Sequence, residues 1–169
     1  AYCDMIENGE IKNGDEMNVV VPTGNFGNIL AAYYAKKMGV PVGKLICASN
    51  ANNVLTDFLK TGIYDRNRKF FTTTSPSMDI LISSNLERLL FHLADENDET
   101  IAKWMAELSN GGKYEVTADV KEKVLSLFDA GCCDDEETKD TIGKTYKNGY
   151  LLDTHTAVAG AVYNEYKET

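Results

Sequence analysis

The sequence predicts an α/β fold: an open, mostly parallel sheet with helices, followed by an additional helical segment. Three observations predict it. Met17-Asn18-Val19-Val20-Val21 and Lys44-Leu45-Ile46-Cys47-Ala48 are short apolar runs of the kind that parallel strands buried on both faces require. Each is followed by a turn and a stretch with helical apolar spacing, the βαβα order of a parallel sheet with right-handed crossovers. The length, 169 residues, suits one domain that can bury a core without metal or disulfide staples.

Taken in order, Tyr2, Met5 and Ile6 share a helical face, and Gly9 stops that helix without any capping residue having opened it. The sequence therefore reads as beginning inside a longer protein. The run from Met17 ends at Pro22, and Thr23 to Asn28 forms a glycine-containing turn. Ile29 to Met38 is a helix stopped by Gly39. Lys44 to Ala48 is the next strand, followed by Ser49-Asn50-Ala51-Asn52 and a helix from about Asn53 to Lys60. Gly62 to Ser77 reads as a long functional loop with a basic cluster, Arg66-Asn67-Arg68-Lys69, and an extended stretch, Phe70 to Thr74. Ser84 and Glu87 have capping-box spacing and open a helix through Leu86, Leu89, Leu90 and Leu93. Asp98 to Leu108 is a further helix ended by Gly111-Gly112, and Thr117 to Phe128 another, with Val120, Val124, Leu127 and Phe128 inward. Asp134 and Glu137 are placed to cap a helix reaching Tyr146, and Asp153 to Tyr166 is the last helix. The βαβα part, 15–82, and the mainly helical part, 83–169, are expected to pack as one lobe, since no linker or repeat separates them.

Composition narrows the function classes. Hydrophobic residues are 43% and charged residues 25% of the chain, a globular balance that argues against disorder. Lys+Arg 17 against Asp+Glu 26 gives a net charge of -9, which repels phosphate backbones and anionic lipid, so nucleic acid and membrane are poor partners. No apolar run approaches the roughly 18–20 residues of a spanning helix. Cys3, Cys47, Cys132 and Cys133 form neither a CxxC knuckle nor a disulfide framework, which fits reduced thiols in the cytoplasm and no metal site. Cys47 and the vicinal Cys132-Cys133 read as core residues.

Gly24-Asn25-Phe26-Gly27-Asn28 is the strongest candidate for chemistry. Glycines between a buried strand and a helix start let successive backbone N–H groups converge on an anion at the positive end of the helix, and phosphate is the natural guest. An ordinary βα turn is the alternative. The glycine spacing is not the dinucleotide fingerprint, and Gly143-Lys144-Thr145 lacks the strand and loop of a Walker A site. Asn50 and Asn52 fall just past the carboxyl end of a strand, where open α/β sheets place ligands. His92 reads as a helix-surface or satisfied core residue, His155 as an orienting group at a helix start, and the Arg66–Lys69 cluster as a solvated loop or an anion-recognising one.

Val21-Pro22-Thr23-Gly24-Asn25-Phe26-Gly27-Asn28, Ala48 to Asn52, Ser75-Pro76-Ser77-Met78-Asp79-Ile80 with Ser84-Asn85-Leu86-Glu87-Arg88, and Asp153-Thr154-His155-Thr156-Ala157-Val158 stand in the order in which threonine synthases carry them. The chain resembles that family over essentially its whole length. The resemblance implies one lobe of a fold type II, tryptophan-synthase-β-like enzyme that uses pyridoxal 5'-phosphate (PLP) to convert O-phospho-L-homoserine and water to L-threonine and phosphate. It implies that Gly24, Asn25, Phe26, Gly27 and Asn28 hold the cofactor phosphate and that Thr156 meets the pyridine nitrogen, while Asn50 and Asn52 are candidates on the substrate side. Thr154 stands where the family commonly has Pro. The family's Schiff-base lysine, in a Phe-Lys-Asp setting before the phosphate loop, has no match here: Lys12 lies in a polar loop and Lys139-Asp140 in an acidic helix. The expectation is a central to C-terminal fragment that is inactive alone, with the remainder of the same polypeptide as partner and the lysine-bearing domain absent. A non-catalytic anion-binding α/β module and another fold type II enzyme such as threonine dehydratase are the alternatives.

Overall fold

The structure, a computed structural model, describes residues 1–168. Strand β1 (Met17–Pro22) pairs in parallel with β2 (Val42–Ser49), from Met17 opposite Val42 to Pro22 opposite Ala48. On the other side β2 pairs in parallel with β5 (Phe128–Cys132), from Leu45 opposite Phe128 to Ser49 opposite Cys132, giving the order β1-β2-β5. A central strand between two helical layers must be apolar on both faces, and β2 divides its residues by pleat. Leu45 and Cys47 enter the larger core, with Phe26, Ile29, Leu30, Phe58, Leu89 and Leu90, whereas Ile46 and Ala48 enter a smaller one, with Met78, Val158, Ala159 and Val162. Burial pushes the Cys47 thiol up to about 12, against weaker opposing hydrogen bonds from Thr23 and Ser49.

Helices α2 (Gly27–Lys37), α3 (Val54–Thr61), α4 (Leu86–Leu93), α5 (Asp98–Gly111) and α6 (Ala118–Leu127) build the larger core. α8 (Thr154–Glu168) covers the opposite face and packs along α7 (Asp135–Lys147). The expected capping box at α7 forms: Asp134 accepts from the Glu137 N–H at 2.9 Å while Glu137 accepts from the Asp134 N–H at 3.1 Å. Near the start of the chain, α1 (Tyr2–Glu7) ends in a turn where Gly9 takes φ +74°.

Four readings are corrected. The expected helix through Phe128 stops at Leu127, where Phe128 turns extended and begins β5, so the segment 83–169 supplies the third strand of the sheet. The loop expected over 62–77 contains β3 (Ile63–Asp65), antiparallel to β4 (Lys113–Glu115), and is pinned there by Tyr64 stacked on Tyr114 at 5.3 Å. Ser84 caps nothing: α4 has Asn85 at its N-cap, with no side-chain cap, and the Ser84 hydroxyl donates instead to Asn25. Cys132 is exposed; Cys133 alone of the pair is buried, because strand alternation sends the two side chains to opposite sides.

Candidate functional site

A pocket of about 430 Å³ opens at the carboxyl end of β1, walled by the Thr23–Ile29 segment, the 3-10 turn Pro76–Met78, Asn85, Asp153 and His155. Its floor is a βα turn whose conformation is set by Phe26, held at φ 65° and ψ 4° immediately before the first turn of α2. A left-handed residue followed by right-handed ones turns successive N–H groups to the same side, the anion-binding nest. Burial holds Phe26 there: it is 1% exposed, with its ring 5.8 Å from that of Phe128. The loop's acceptors are engaged outward. The Ser83 hydroxyl donates to the Gly24 carbonyl at 2.9 Å, the Asn85 amide to the Asn25 carbonyl at 2.8 Å, and the Ser84 N–H and hydroxyl to Asn25 Oδ1, each at 2.9 Å. The N–H groups of Gly24, Asn25, Phe26, Gly27, Asn28 and Ile29 donate to no acceptor among the described residues, whereas the Leu30 N–H is the first to be satisfied, by the Phe26 carbonyl at 3.1 Å. Several orphan donors at the positive end of an eleven-residue helix are an arrangement that can receive an anion.

The two glycines have different tasks. Neither is left-handed, that conformation falling on Phe26. A Cβ on Gly24 would lie 2.8 Å from the Ser77 carbonyl oxygen and 3.2 Å from Met78 Cα, so the 76–78 turn requires glycine there. A Cβ on Gly27 meets only the Asn85 amide, at 3.6 Å, and its surroundings are otherwise open toward the pocket.

The opposite wall is the start of α8. Asp153 Oδ1 accepts from the N–H groups of His155 (2.9 Å) and Thr156 (3.2 Å), and Asp153 Oδ2 accepts from the Thr156 hydroxyl. The Thr156 side-chain bond, then the backbone donors, hold the Asp153 carboxyl below its ordinary range. His155 Nε2 accepts from the Ser77 N–H at 3.3 Å, with Nδ1 3.4 Å from Asp153 Oδ1, so the ring bridges the 3-10 turn to the helix. Thr156 itself is exposed and turned to Asp153; its neighbours Asp153 and His155 line the pocket, and it does not.

The other sequence candidates fall away from the pocket. Asn50 and Asn52 are buried, and both donate to Asp79 Oδ1, at 2.8 and 3.0 Å. The basic cluster is divided: Arg68 pairs with Asp57 at 2.7 Å and bonds Asn53, Arg66 donates to the Ser109 carbonyl, and Lys69 lies over the Phe71 ring. His92 shares a hydrogen bond with the Tyr34 hydroxyl at 3.1 Å on the α4 surface. No group of three or more His, Cys, Asp or Glu among the described residues is arranged to hold a metal ion. No helix among them is long and apolar enough to cross a membrane. Sequence reasoning did not single out Ser77 and Asn85 as residues of this pocket. Asn85 and Ser77 lay inside motifs already singled out, but only the fold brings them against Gly24 and His155.

No family model matches the chain. The human protein named threonine synthase-like 1 is 48% identical over 164 residues, 96% of this chain and 22% of that protein. Threonine synthase of Saccharomyces cerevisiae is 45% identical over 161 residues, 87% of this chain and 31% of that enzyme. Among solved structures, yeast threonine synthase superposes with a TM-score of 0.89 at 41% identity, covering 96% of this chain and 35% of that one. PLP-bound threonine synthase from Brucella melitensis gives 0.90 at 39% identity, covering 97% and 35%. The chain is thus similar to threonine synthases along almost its whole length while spanning only about a fifth to a third of theirs.

Proposed function

We propose that this chain, a homologue of threonine synthases, forms the lobe of a fold type II threonine synthase that grips the phosphate of PLP. The full enzyme would convert O-phospho-L-homoserine and water to L-threonine and phosphate. The observation that supports this most directly is the row of six unaccepted N–H groups from Gly24 to Ile29 at the amino end of α2. Gly24, Phe26 and Ile29 are buried, where backbone donors are nearly always satisfied, while Asn25, Gly27 and Asn28 are open to an incoming anion. The donor set fits a phosphate monoester: the loop offers N–H groups with the Gly24 and Asn25 carbonyls tied back by Ser83 and Asn85, and the Asp153 carboxylate on the opposite wall is engaged by the His155 and Thr156 donors.

When bound, PLP supplies an electron-withdrawing ring; the protein supplies position and electrostatics. The residues of this chain would act as follows. Gly24, Asn25, Phe26, Gly27 and Asn28 bind the phosphate, with Gly27 leaving the approach open. Asp153 orients the Thr156 hydroxyl, the group that the family resemblance sets against the pyridine nitrogen. Asn50 and Asn52, offered as substrate-side candidates, act at one remove by fixing the loop that walls the pocket. None of the lysines in these 169 residues stands in a Phe-Lys-Asp setting, and Lys139 is exposed on α7. The anchoring lysine is therefore assigned to sequence outside these residues, and this chain to the non-covalent part of cofactor binding.

Phosphate release from O-phospho-L-homoserine by the full-length protein, with and without added PLP, tests the reading. PLP-dependent release with L-threonine as co-product is expected. PLP-dependent deamination of threonine in its place would move the protein to a dehydratase, and PLP-independent behaviour would reduce the pocket to an anion-binding module.

A further inference from the structure

The segment from Phe71 to Ile80 has no regular structure apart from the Pro76–Met78 turn, yet it is among the most hydrogen-bonded parts of the molecule. Its bonds converge on one carboxylate. Asp79 Oδ1 accepts from Asn50 Nδ2 (2.8 Å), Asn52 Nδ2 (3.0 Å) and the Thr73 hydroxyl (2.7 Å), and Asp79 Oδ2 accepts from the Thr73 N–H (2.9 Å). Asn52 adds a two-way clamp on Phe71, donating to its carbonyl and accepting from its N–H, both at 2.9 Å. Asn50 reaches the Ser75 hydroxyl at 3.0 Å. Two asparagines at the end of the central strand thus hold the loop through Asp79, and the loop delivers the Ser77 carbonyl against Gly24.

We propose that Asp79 is a positioning residue for the phosphate site: it does not line the pocket, and it sets the shape of the Gly24–Asn28 nest through the Ser75–Met78 backbone that presses on Gly24. The inference rests on the reading of the pocket as a phosphate site. The chemistry demanded at position 79 is specific. Four donors meet two oxygens, and only a group that accepts at both satisfies them. In Asp79→Asn one oxygen becomes an NH2 that must face either the Thr73 N–H or the three donors at Oδ1, so near-isosteric filling of the space does not restore the network.

The test uses the full-length protein as wild type, Asp79→Asn, Thr73→Val and, as a control remote from the pocket, Lys123→Met, which removes the bonds from Lys123 to Asp95 and the Leu93 carbonyl. PLP affinity is measured by titration, with inorganic phosphate as competitor, and the ligand-free amides of Gly24 and Gly27 are followed by NMR after 15N-glycine labelling. Asp79→Asn is expected to weaken PLP binding by at least about tenfold and Thr73→Val by about threefold, with Lys123→Met within about twofold of wild type. The Gly24 and Gly27 resonances should move in the first two variants and not in the third. Unmoved glycine resonances, or affinities of both loop variants within about twofold of wild type, overturn the proposal. If Asp79→Asn fails to fold, Thr73→Val decides by the same readings. Moved resonances in a protein with no affinity for PLP or phosphate would support the positioning role and discard the phosphate reading, so the two fail separately.

Discussion

Holding a non-glycine residue in the left-handed region costs roughly 1–2 kcal/mol, and at Phe26 the cost is offset by burying an entire aromatic ring against Phe128. The glycines on either side can then be separated by experiment. Gly24→Val drives a branched side chain into the Ser77 carbonyl, so both thermal stability and PLP affinity should fall. Gly27→Val meets only the Asn85 amide, so its melting temperature should stay near wild type while PLP binding weakens by about a hundredfold, from loss of hydrogen bonds at roughly 1.5–3 kcal/mol each. Phe26→Leu keeps the donors and should cost less affinity than either. Equal melts for both glycine variants would contradict this division of tasks. At the start of α8, the lowered pKa of Asp153 sets a pH dependence. A carboxylate whose folded pKa lies below its unfolded value of about 3.9 contributes stability above that value and loses it as pH falls through the folded pKa. Thr156→Val deletes the largest cause of the shift. The stability gap between variant and wild type should therefore be present at neutral pH and close in acid, as read from denaturant midpoints across pH 2 to 7. The turn from Gly24 to Asn28 was legible because glycine and helix-start chemistry are local; the left-handed corner at Phe26 was not, because only the distant Phe128 explains a phenylalanine there.

Elements divide in the same way. Strands β1 and β2 declared themselves by continuous Val, Ile and Leu, and α7 by its Asp134–Glu137 box. Strand β5 could not, because Phe-Asp-Ala-Gly-Cys has weak strand propensity and takes its conformation from the edge of β2. Its glycine is explained by α8: a Cβ at Gly131 would lie 2.7 Å from Val162 Cγ1, and a β-branched neighbour has little rotamer freedom to yield. Gly131→Ala should destabilise by about 1–3 kcal/mol through overpacking. Adding Val162→Ala should return about 1 kcal/mol of that loss, a coupling of the size found between touching side chains. Strict additivity in the double variant, measured by chemical denaturation, would show that the helix does not bear on the strand there.

Across the whole molecule, the fold class and most helices could be read from periodicity, whereas the walls of the pocket could not, since they come from three stretches far apart in the chain. Ser77, Asn85 and His155 meet only after β2 has brought both of its neighbours alongside. The two neighbours arrive by different routes. The crossover from Pro22 to Val42 is short, whereas that from Ser49 to Phe128 is roughly four times as long and costs about 1 kcal/mol more in closure entropy. Pairing of β1 with β2 is therefore favoured as the earlier event in folding, with α2 already seated at the end of β1. The floor of the candidate pocket therefore gains its left-handed corner only when β5 arrives, because the ring that holds Phe26 there belongs to Phe128. A floor that lies early in the chain is thus among the last parts of it to settle.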